Sequence, residues 1–237
     1  QIRSSAASDV YKRQFLHCSG YLKNDTNFGN YFGKMYQPRY LSGLAAGAMT
    51  ESNKIGYVAA FPIPEVIRGI NAFATGVKEV NPDATVEVVW TFTWFGPEAE
   101  TQAANALLET GVDVLAQHQD SPSTGIAAEA AGAKWISYNT AYGQDAAPGA
   151  FVTAPVWDWG PYYVQVVESI VNDEFVAEAY WGGMETGLVS LYELSSDVPA
   201  DTATLISERT EEIISGSFDP PIVEDEFIDN VIGTVNP

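Results

Sequence analysis

The sequence predicts an α/β fold with a parallel sheet, and two observations lead to this class. Apolar, β-rich runs alternate with helical patterns between residues 53 and 138, which indicates βαβ units with helices on both faces of a sheet. Several of these runs also end in segments rich in aromatic, amide and carboxylate side chains. Ligands of open α/β sheets bind beyond the carboxyl ends of the strands, so these segments predict a binding edge.

Local patterns predict the elements in chain order. Small residues at 41–47 suit a closely packed helix, and Pro-first, Gly-last signals bound the helix from Pro97 to Gly111. The predicted strands are 55–60, 85–90, 112–116, 134–138, 151–154 and 188–191. The predicted helices are 65–80, 97–111, one starting near residue 123, one following Pro161, and 199–215. No structure is predicted for the acidic residues 224–229.

The central stretch is VDVLAQHQDSP, Val112–Pro122. Its first half is a short apolar run after a glycine, typical of a strand buried on both faces. Its second half, Gln117 to Ser121, is polar throughout and contains His118 and Asp120. We therefore expect the strand to end before Gln117 and the polar residues to face a ligand.

Composition excludes some partners. The net charge of −20 argues against nucleic acid and anionic membrane surfaces, and predicts solubility, including in a salty medium. The single cysteine, Cys18, allows no intramolecular disulfide and is expected to be a small buried residue. Residues 1–14 do not match the pattern that follows, so we interpret them as a non-native leader on a fragment whose start and export signal are missing.

The sequence lacks the common enzyme motifs, namely a phosphate loop, GxGxxG, GxSxG and HExxH. A metal site at His118 and Asp120 is disfavoured, because no second His or Cys lies at ligand spacing. Six aromatic residues fall in or beside loops, and although most are expected to be structural, some can stack on a flat ligand. They are Trp90, Trp94, Phe95, Trp157, Trp159 and Trp181. Asp120, Gln117 and Asn139 can read the edge of such a ligand, for instance the amino group of adenine. Tyr31 and Phe32 belong either to the core or to a pocket wall.

Three stretches carry a resemblance: NKIGYVAAFPIPEVIRGINAF, WFGPEAETQAANALLETGVDVLAQHQDSP and PVWDWGPYY. They resemble the basic membrane protein family, the purine-binding solute-binding proteins of ABC transporters. The resemblance implies a type I periplasmic-binding-protein fold, with two Rossmann-like lobes that close over a ligand. It also implies that lobe one is N-terminally truncated here.

Nucleoside binders of that family carry a ribose-contacting Asp and a Lys where this chain has Asn139 and Trp157. The resemblance therefore implies a free base such as adenine, with Trp157 or Trp159 in the ribose space. It also implies a division into leader 1–14, lobe-one remnant 15–52, lobe two 53–138, crossings 139–217 and acidic tail 218–237.

Our interpretation is a monomeric, non-catalytic protein without metal or cofactor, working with a membrane permease as a periplasmic or cell-surface lipoprotein. The alternatives are a nucleoside binder of the same family, a ligand-sensing receptor domain of this fold, and a nucleoside-processing enzyme. The candidate ligand-binding residues are Asp120, Trp157, Trp159, Asn139, Phe61, Gln117, Trp94, Trp181 and Tyr31.

Overall fold

A computed structural model describes residues 13–139 and 141–235, and its larger sheets are parallel, as the sequence predicts. The strands are β1 (Phe15–Cys18), β2 (Phe28–Gly33), β3 (Lys54–Ala59), β4 (Thr85–Trp90), β5 (Val114–His118), β6 (Lys134–Ile136), β7 (Phe151–Thr153), β8 (Pro155–Trp157), β9 (Ala179–Gly182), β10 (Val189–Leu191) and β11 (Val231–Ile232). The helices are α1 (Tyr36–Met49), α2 (Pro64–Val80), α3 (Pro97–Glu109), α4 (Ser123–Ala131), α5 (Gly143–Ala146), α6 (Gly160–Val171) and α7 (Ala200–Ser215). Most of the predicted leader lies outside the described residues.

The six-stranded parallel sheet determines where a ligand can bind. Its strand order is β11-β4-β3-β5-β6-β7, so the chain moves to one side of β3 for β4 and to the other side for β5. This reversal creates a crevice at the carboxyl ends of β3 and β5, the usual ligand position in doubly wound sheets. The predicted strands and helices of this region are confirmed, and their ends differ by a few residues.

Helices α1 and α2 pack together on one face of the sheet, while α3 and α4 pack on the other. The first pair crosses at two glycines: a Cβ atom on Gly43 would overlap the Phe73 carbonyl, and one on Gly76 would overlap the Tyr40 carbonyl. The expectation of a closely packed, small-residue helix is therefore confirmed. The expected domain division groups α1 with lobe one, whereas the structure buries α1 against the six-stranded sheet.

Two smaller sheets lie beside the large one. Strands β1, β2 and β9 form a parallel sheet, and β8 pairs with β10 in antiparallel fashion. The expectation that Cys18 is buried is wrong, because its thiol is exposed. Its strand β1 is at the edge of the three-stranded sheet, where it pairs only with β2 among the described strands.

The segment after α7, interpreted from the sequence as an acidic tail, returns to the sheet. The Asn71 side-chain amide on α2 donates to the carbonyls of Val223 at 2.9 Å and Glu226 at 2.8 Å. Strand β11 then pairs with β4 and extends the sheet by one strand. These contacts join residues more than 140 positions apart, so no local pattern could predict them. Within the described residues, no helix is both long and apolar enough to cross a bilayer.

Candidate ligand-binding site

A cavity of about 510 Å³ lies where the carboxyl edge of the six-stranded sheet meets β2 and β8. Its walls combine aromatic rings with charged and amide side chains, as small-molecule sites commonly do. The lining residues are Ser19, Gly20, Phe32, Ile63, Glu65, Arg68, Trp94, His118, Asp120, Tyr138, Asn139, Trp157 and Trp159.

Three of the sequence-predicted residues form one hydrogen-bonded chain in this cavity. The Asn139 amide donates to Asp120 Oδ1 at 2.6 Å, and Trp157 Nε1 donates to Asn139 Oδ1 at 3.1 Å. These bonds orient the Asn139 amide and leave the second Asp120 oxygen free of partners among the described residues. The arrangement presents a carboxylate acceptor beside an oriented indole ring.

Asn139 has a backbone conformation that few side chains adopt. Its φ is 71°, in the left-handed region, and its backbone N–H donates to the Pro155 carbonyl at 3.1 Å. Asparagine tolerates this region better than most residues. Such strain persists only where the surroundings fix it, and it clusters at ligand sites.

Aromatic rings form the walls. Trp157 stacks on Trp159 with ring centroids 4.6 Å apart and an interplanar angle of 12°, and Phe32 packs on Trp157 at 5.0 Å. On the side of the six-stranded sheet, Trp94 lines the cavity and Phe61 packs behind it at 5.3 Å. Phe61 therefore supports the wall from outside the set of lining residues.

The polar stretch after β5 differs from the prediction. Strand β5 continues through His118, and Gln117, His118 and Gln119 are all buried. Gln117 Oε1 accepts from Trp135 Nε1 at 3.0 Å, and its amide donates to the carbonyls of Gln119 and Ser121. The expectation that the strand ends before Gln117 is therefore wrong. The strand can continue through Gln117 because these partners satisfy the hydrogen-bonding groups of its buried side chain.

Strand alternation decides which of these side chains reach the cavity. Successive residues point to opposite faces, so His118 and Asp120 line the 510 Å³ cavity while Gln117 and Gln119 do not. Both glutamines instead line a neighbouring cavity of about 190 Å³. Asp120 lines both cavities, so Gln117 and Asp120 meet only at the smaller one.

Two further candidates lie away from the cavity. Tyr31 is buried against Tyr162, with ring centroids 4.9 Å apart, and its hydroxyl pairs with that of Tyr163. Trp181 is 40% exposed, lies 5.2 Å from the guanidinium of Arg68 and pairs with Phe32 across the sheet, so it neighbours two lining residues without lining the cavity itself.

The cavity contains two carboxyl groups and a neutral imidazole. Burial raises the pKa of Asp120, although the Asn139 hydrogen bond opposes the shift. Burial also raises the pKa of Glu65, against the opposing charges of Arg39 and Arg68. Burial, aided by Arg39, holds the pKa of His118 well below its usual value, so this imidazole is uncharged at neutral pH.

Glu100 joins the two loops that carry Trp94 and Asp120. This fully buried carboxylate accepts from Gly96 N at 2.9 Å and from Ser121 Oγ at 2.5 Å. In addition, Asp120 N donates to the Trp94 carbonyl at 2.9 Å. Glu100 therefore positions two walls of the cavity without reaching it.

Two lining residues, Glu65 and Arg68, were not predicted from the sequence; both lie in the first turns of α2. Their place in the chain could have indicated them, because α2 begins shortly after β3, at the edge of the sheet where ligand binding was predicted. Arg68 is also held by an ion pair with Glu224 at 2.9 Å. Among the described residues, no group of three or more His, Cys, Asp or Glu side chains could hold a metal ion.

Comparison with known proteins identifies the class of protein that this fold and cavity define. The family model described as "ABC transporter substrate-binding protein PnrA-like" matches residues 1–219, and the chain belongs to this family. A solved structure of solute-binding proteins of an ABC transporter system from Aeropyrum pernix K1 superposes with a TM-score of 0.76 at 16% identity, covering 93% of this chain and 74% of that one. The fold is that of the periplasmic binding proteins of ABC transporters.

Two curated relatives are more similar in sequence. One, from Haloferax volcanii, is named "Putative ABC transporter glucose-binding protein TsgA13" and is 43% identical over 215 residues, which cover 91% of this chain and 54% of the relative. The other, a purine-binding protein of Brucella abortus, is 36% identical over 212 residues, which cover 87% of this chain and 58% of the relative. The chain thus spans little more than half the length of these relatives.

Proposed function

We propose that this protein is the solute-binding component of an ABC importer and that its ligand is a purine, with the free base preferred over the nucleoside. One observation carries the proposal: a carboxylate, an oriented amide and stacked indole rings lie together in one cavity. A planar heterocycle needs ring faces to stack on and hydrogen-bonding groups at its edge. Adenine offers an amino donor that suits Asp120.

The preference for a free base over a nucleoside rests on the residues that occupy the place where a ribose would lie. Trp157 and Trp159 stack on each other within the cavity wall, and Trp157 is held by its bond to Asn139. Two large rings there reduce the room for a ribose, and the one N–H of Trp157 already donates to Asn139. Together with the absence of an acid and a base at the matching family positions, this favours a ligand without a sugar.

The Brucella relative supports a purine, and the Haloferax relative provides a second candidate, a hexose. Glu65, Asp120, Asn139 and Arg68 supply the acceptors and donors that sugar hydroxyls require, and an indole face can pack against a sugar ring. We favour the purine because several aromatic side chains contribute rings to one cavity.

The remaining parts of the proposal follow from the family. The protein would deliver its ligand to a membrane permease as an exported, monomeric, non-catalytic protein, anchored by a lipid at the cell surface or free in the periplasm. The cavity lies between two sheets, so ligand binding would draw them together by a hinge movement at the crossing segments.

The test is calorimetric titration of the full-length protein with adenine, guanine, adenosine, guanosine, glucose, ribose and amino acids. Thermal unfolding provides a parallel readout, because a ligand at a hundredfold excess over Kd stabilises the native state by about 2.7 kcal/mol. We expect bases to bind more tightly than nucleosides. A nucleoside preference would overturn the free-base proposal, and binding of glucose alone would replace the purine with the hexose.

A further inference from the structure

Glu65 supplies a second carboxylate to the cavity that contains Asp120. It lies in the first turn of α2, with its side chain 20% exposed. Among the described residues, no hydrogen bond reaches its oxygens, and the one basic nitrogen within 4 Å is His118 Nε2 at 3.6 Å from Oε1. A largely buried carboxylate without hydrogen bonds is costly in free energy. Such a group in a binding cavity is expected to meet a donor from the ligand.

Arg39 favours the ionised form of Glu65, although burial and the charge of Asp120 raise the pKa of Glu65 overall. Arg39 on α1 is fully buried, donates from Nη1 to the Gln117 carbonyl at 2.7 Å, and lies 4.0 Å over the ring of Tyr138. Its charge opposes the effect of burial on Glu65. His118 is neutral and 98% buried, so it adds no competing charge. The guanidinium thus favours the charged carboxylate while lying against Tyr138, outside the set of lining residues.

A free purine and its nucleoside differ at one donor. The free base carries an N–H on its imidazole ring, and in a nucleoside that nitrogen is bonded to the sugar. In adenine this N–H and the exocyclic amino group lie on different edges of the ring system. A site that selects the free base therefore needs two acceptors, and this cavity has two carboxylates on separate elements, α2 and the loop after β5.

We propose that Glu65 determines specificity by accepting a hydrogen bond from the imidazole N–H of a free purine base, while Asp120 accepts from the donor at the other edge. This inference rests on the proposed function and deepens it, since it assigns the preference for a base to one residue. Steric exclusion of ribose by Trp157 and Trp159 would act in addition.

The test compares adenine with 9-methyladenine and 7-methyladenine, which keep the amino group and the ring but lack the imidazole N–H. The unmodified protein is expected to bind adenine about 10- to 100-fold more tightly than either methylated ligand, the range for a hydrogen bond to a charged group. Glu65→Gln keeps the shape of the side chain and removes its charge, so the ratio should shrink. Glu65→Ala removes the acceptor and leaves room for the methyl group, so the ratio should approach one.

The matched control is Asp120→Asn, which should weaken all three ligands by similar factors and leave their ratio unchanged. Equal binding of adenine and both methylated ligands by the unmodified protein overturns the inference without any variant. An unchanged ratio in Glu65→Gln and Glu65→Ala also overturns it, while purine binding itself would still support the proposed function. If no purine binds and glucose does, the proposed function fails first and the inference fails with it.

Discussion

Two aspartates at opposite ends of β5 show how one strand separates stability from ligand binding. Asp113 lies just before the strand, and Asp120 lies two residues after it. The carboxylate of Asp113 accepts from Thr50 Oγ1 at 2.6 Å and from the backbone N–H groups of Glu51 and Ser52, each at 2.7 Å. The carboxylate of Asp120 accepts only from Asn139 among the described residues.

The two carboxyl groups are shifted in opposite directions. Burial acts to raise the pKa of Asp113, but its hydrogen bonds outweigh that effect and the pKa lies below the usual value. Burial raises the pKa of Asp120, because its one hydrogen bond does not offset the loss of solvent. A carboxylate whose oxygens already accept hydrogen bonds from the chain stabilises the fold. A carboxylate with an oxygen that accepts none can bind a ligand. At the amino end of this parallel sheet the polar groups are used by the chain itself.

The largest expected effect is a loss of stability on substitution of Asp113, at the amino end of β5. Asp113→Asn turns an amide N–H toward donors that a carboxylate now satisfies, so the free energy of unfolding should fall by about 2–4 kcal/mol. Urea unfolding measures this change, and adenine affinity should stay within about twofold once the protein is folded. Asp83→Asn, at an exposed turn, is the control and should change stability by less than about 0.5 kcal/mol. Equal stability losses in the two variants would contradict the assignment.

At the carboxyl end of β5, replacing Asp120 by Asn should lower adenine affinity and leave stability almost unchanged. Asp120→Asn removes a charged acceptor from the cavity, and adenine affinity should fall by about 1.5–3 kcal/mol, roughly 10- to 100-fold. The free energy of unfolding should change by less than about 0.5 kcal/mol, because Asp120 is only partly buried and makes one side-chain bond. Unchanged affinity in a calorimetric titration would remove Asp120 from the site.

Glu100 should combine both effects, because it is buried and also positions the loops of Trp94 and Asp120. Glu100→Ala leaves Gly96 N and Ser121 Oγ without this acceptor, so stability should fall by about 1–2 kcal/mol and adenine affinity by about threefold to tenfold. Glu98→Ala, an exposed neighbour on α3, is the control for both readouts. A stability loss without any loss of affinity would show that the loops keep their positions by other contacts.

The smallest expected effect is the loss of adenine affinity in mildly acidic solution. Because burial raises the pKa values of Asp120 and Glu65, the ionised forms of these two acceptors are lost before that of Asp113 as the pH falls. The pKa of Asp113 is lowered, so its contribution to stability is present above the unfolded value near ~4 and is lost only as the pH falls through its lower folded value. Between about pH 6 and pH 4, adenine affinity should therefore fall by less than about tenfold while the Asp113 contribution persists. Titrations of the unmodified protein and of Asp120→Asn test this order, and the variant should show the weaker pH dependence.

Much of the fold could be predicted from local patterns. The alternation of β-rich and amphipathic segments predicted the elements from β3 to α4, and the close packing of α1 was visible in its small residues. The position of the cavity followed from the general rule for parallel strands, and Asp120, Asn139, Trp94, Trp157 and Trp159 all line it. The predictions of the elements succeeded because periodicity and turn chemistry are properties of short segments, while the role of these lining residues in binding a ligand stays a prediction.

The sequence by itself determined the α/β class, the binding edge and the aromatic and carboxylate character of the site. Only the tertiary structure decided which polar residues face the cavity. Gln117 is buried by its bond to Trp135, Tyr31 is buried against Trp159 without lining the cavity, and Glu65 reaches the cavity from a helix. Only the tertiary structure adds β11 to the sheet and brings Arg39 beneath the cavity floor. Each of these outcomes depends on partners distant in the chain, and a local pattern carries no information about which distant groups will satisfy a buried polar atom.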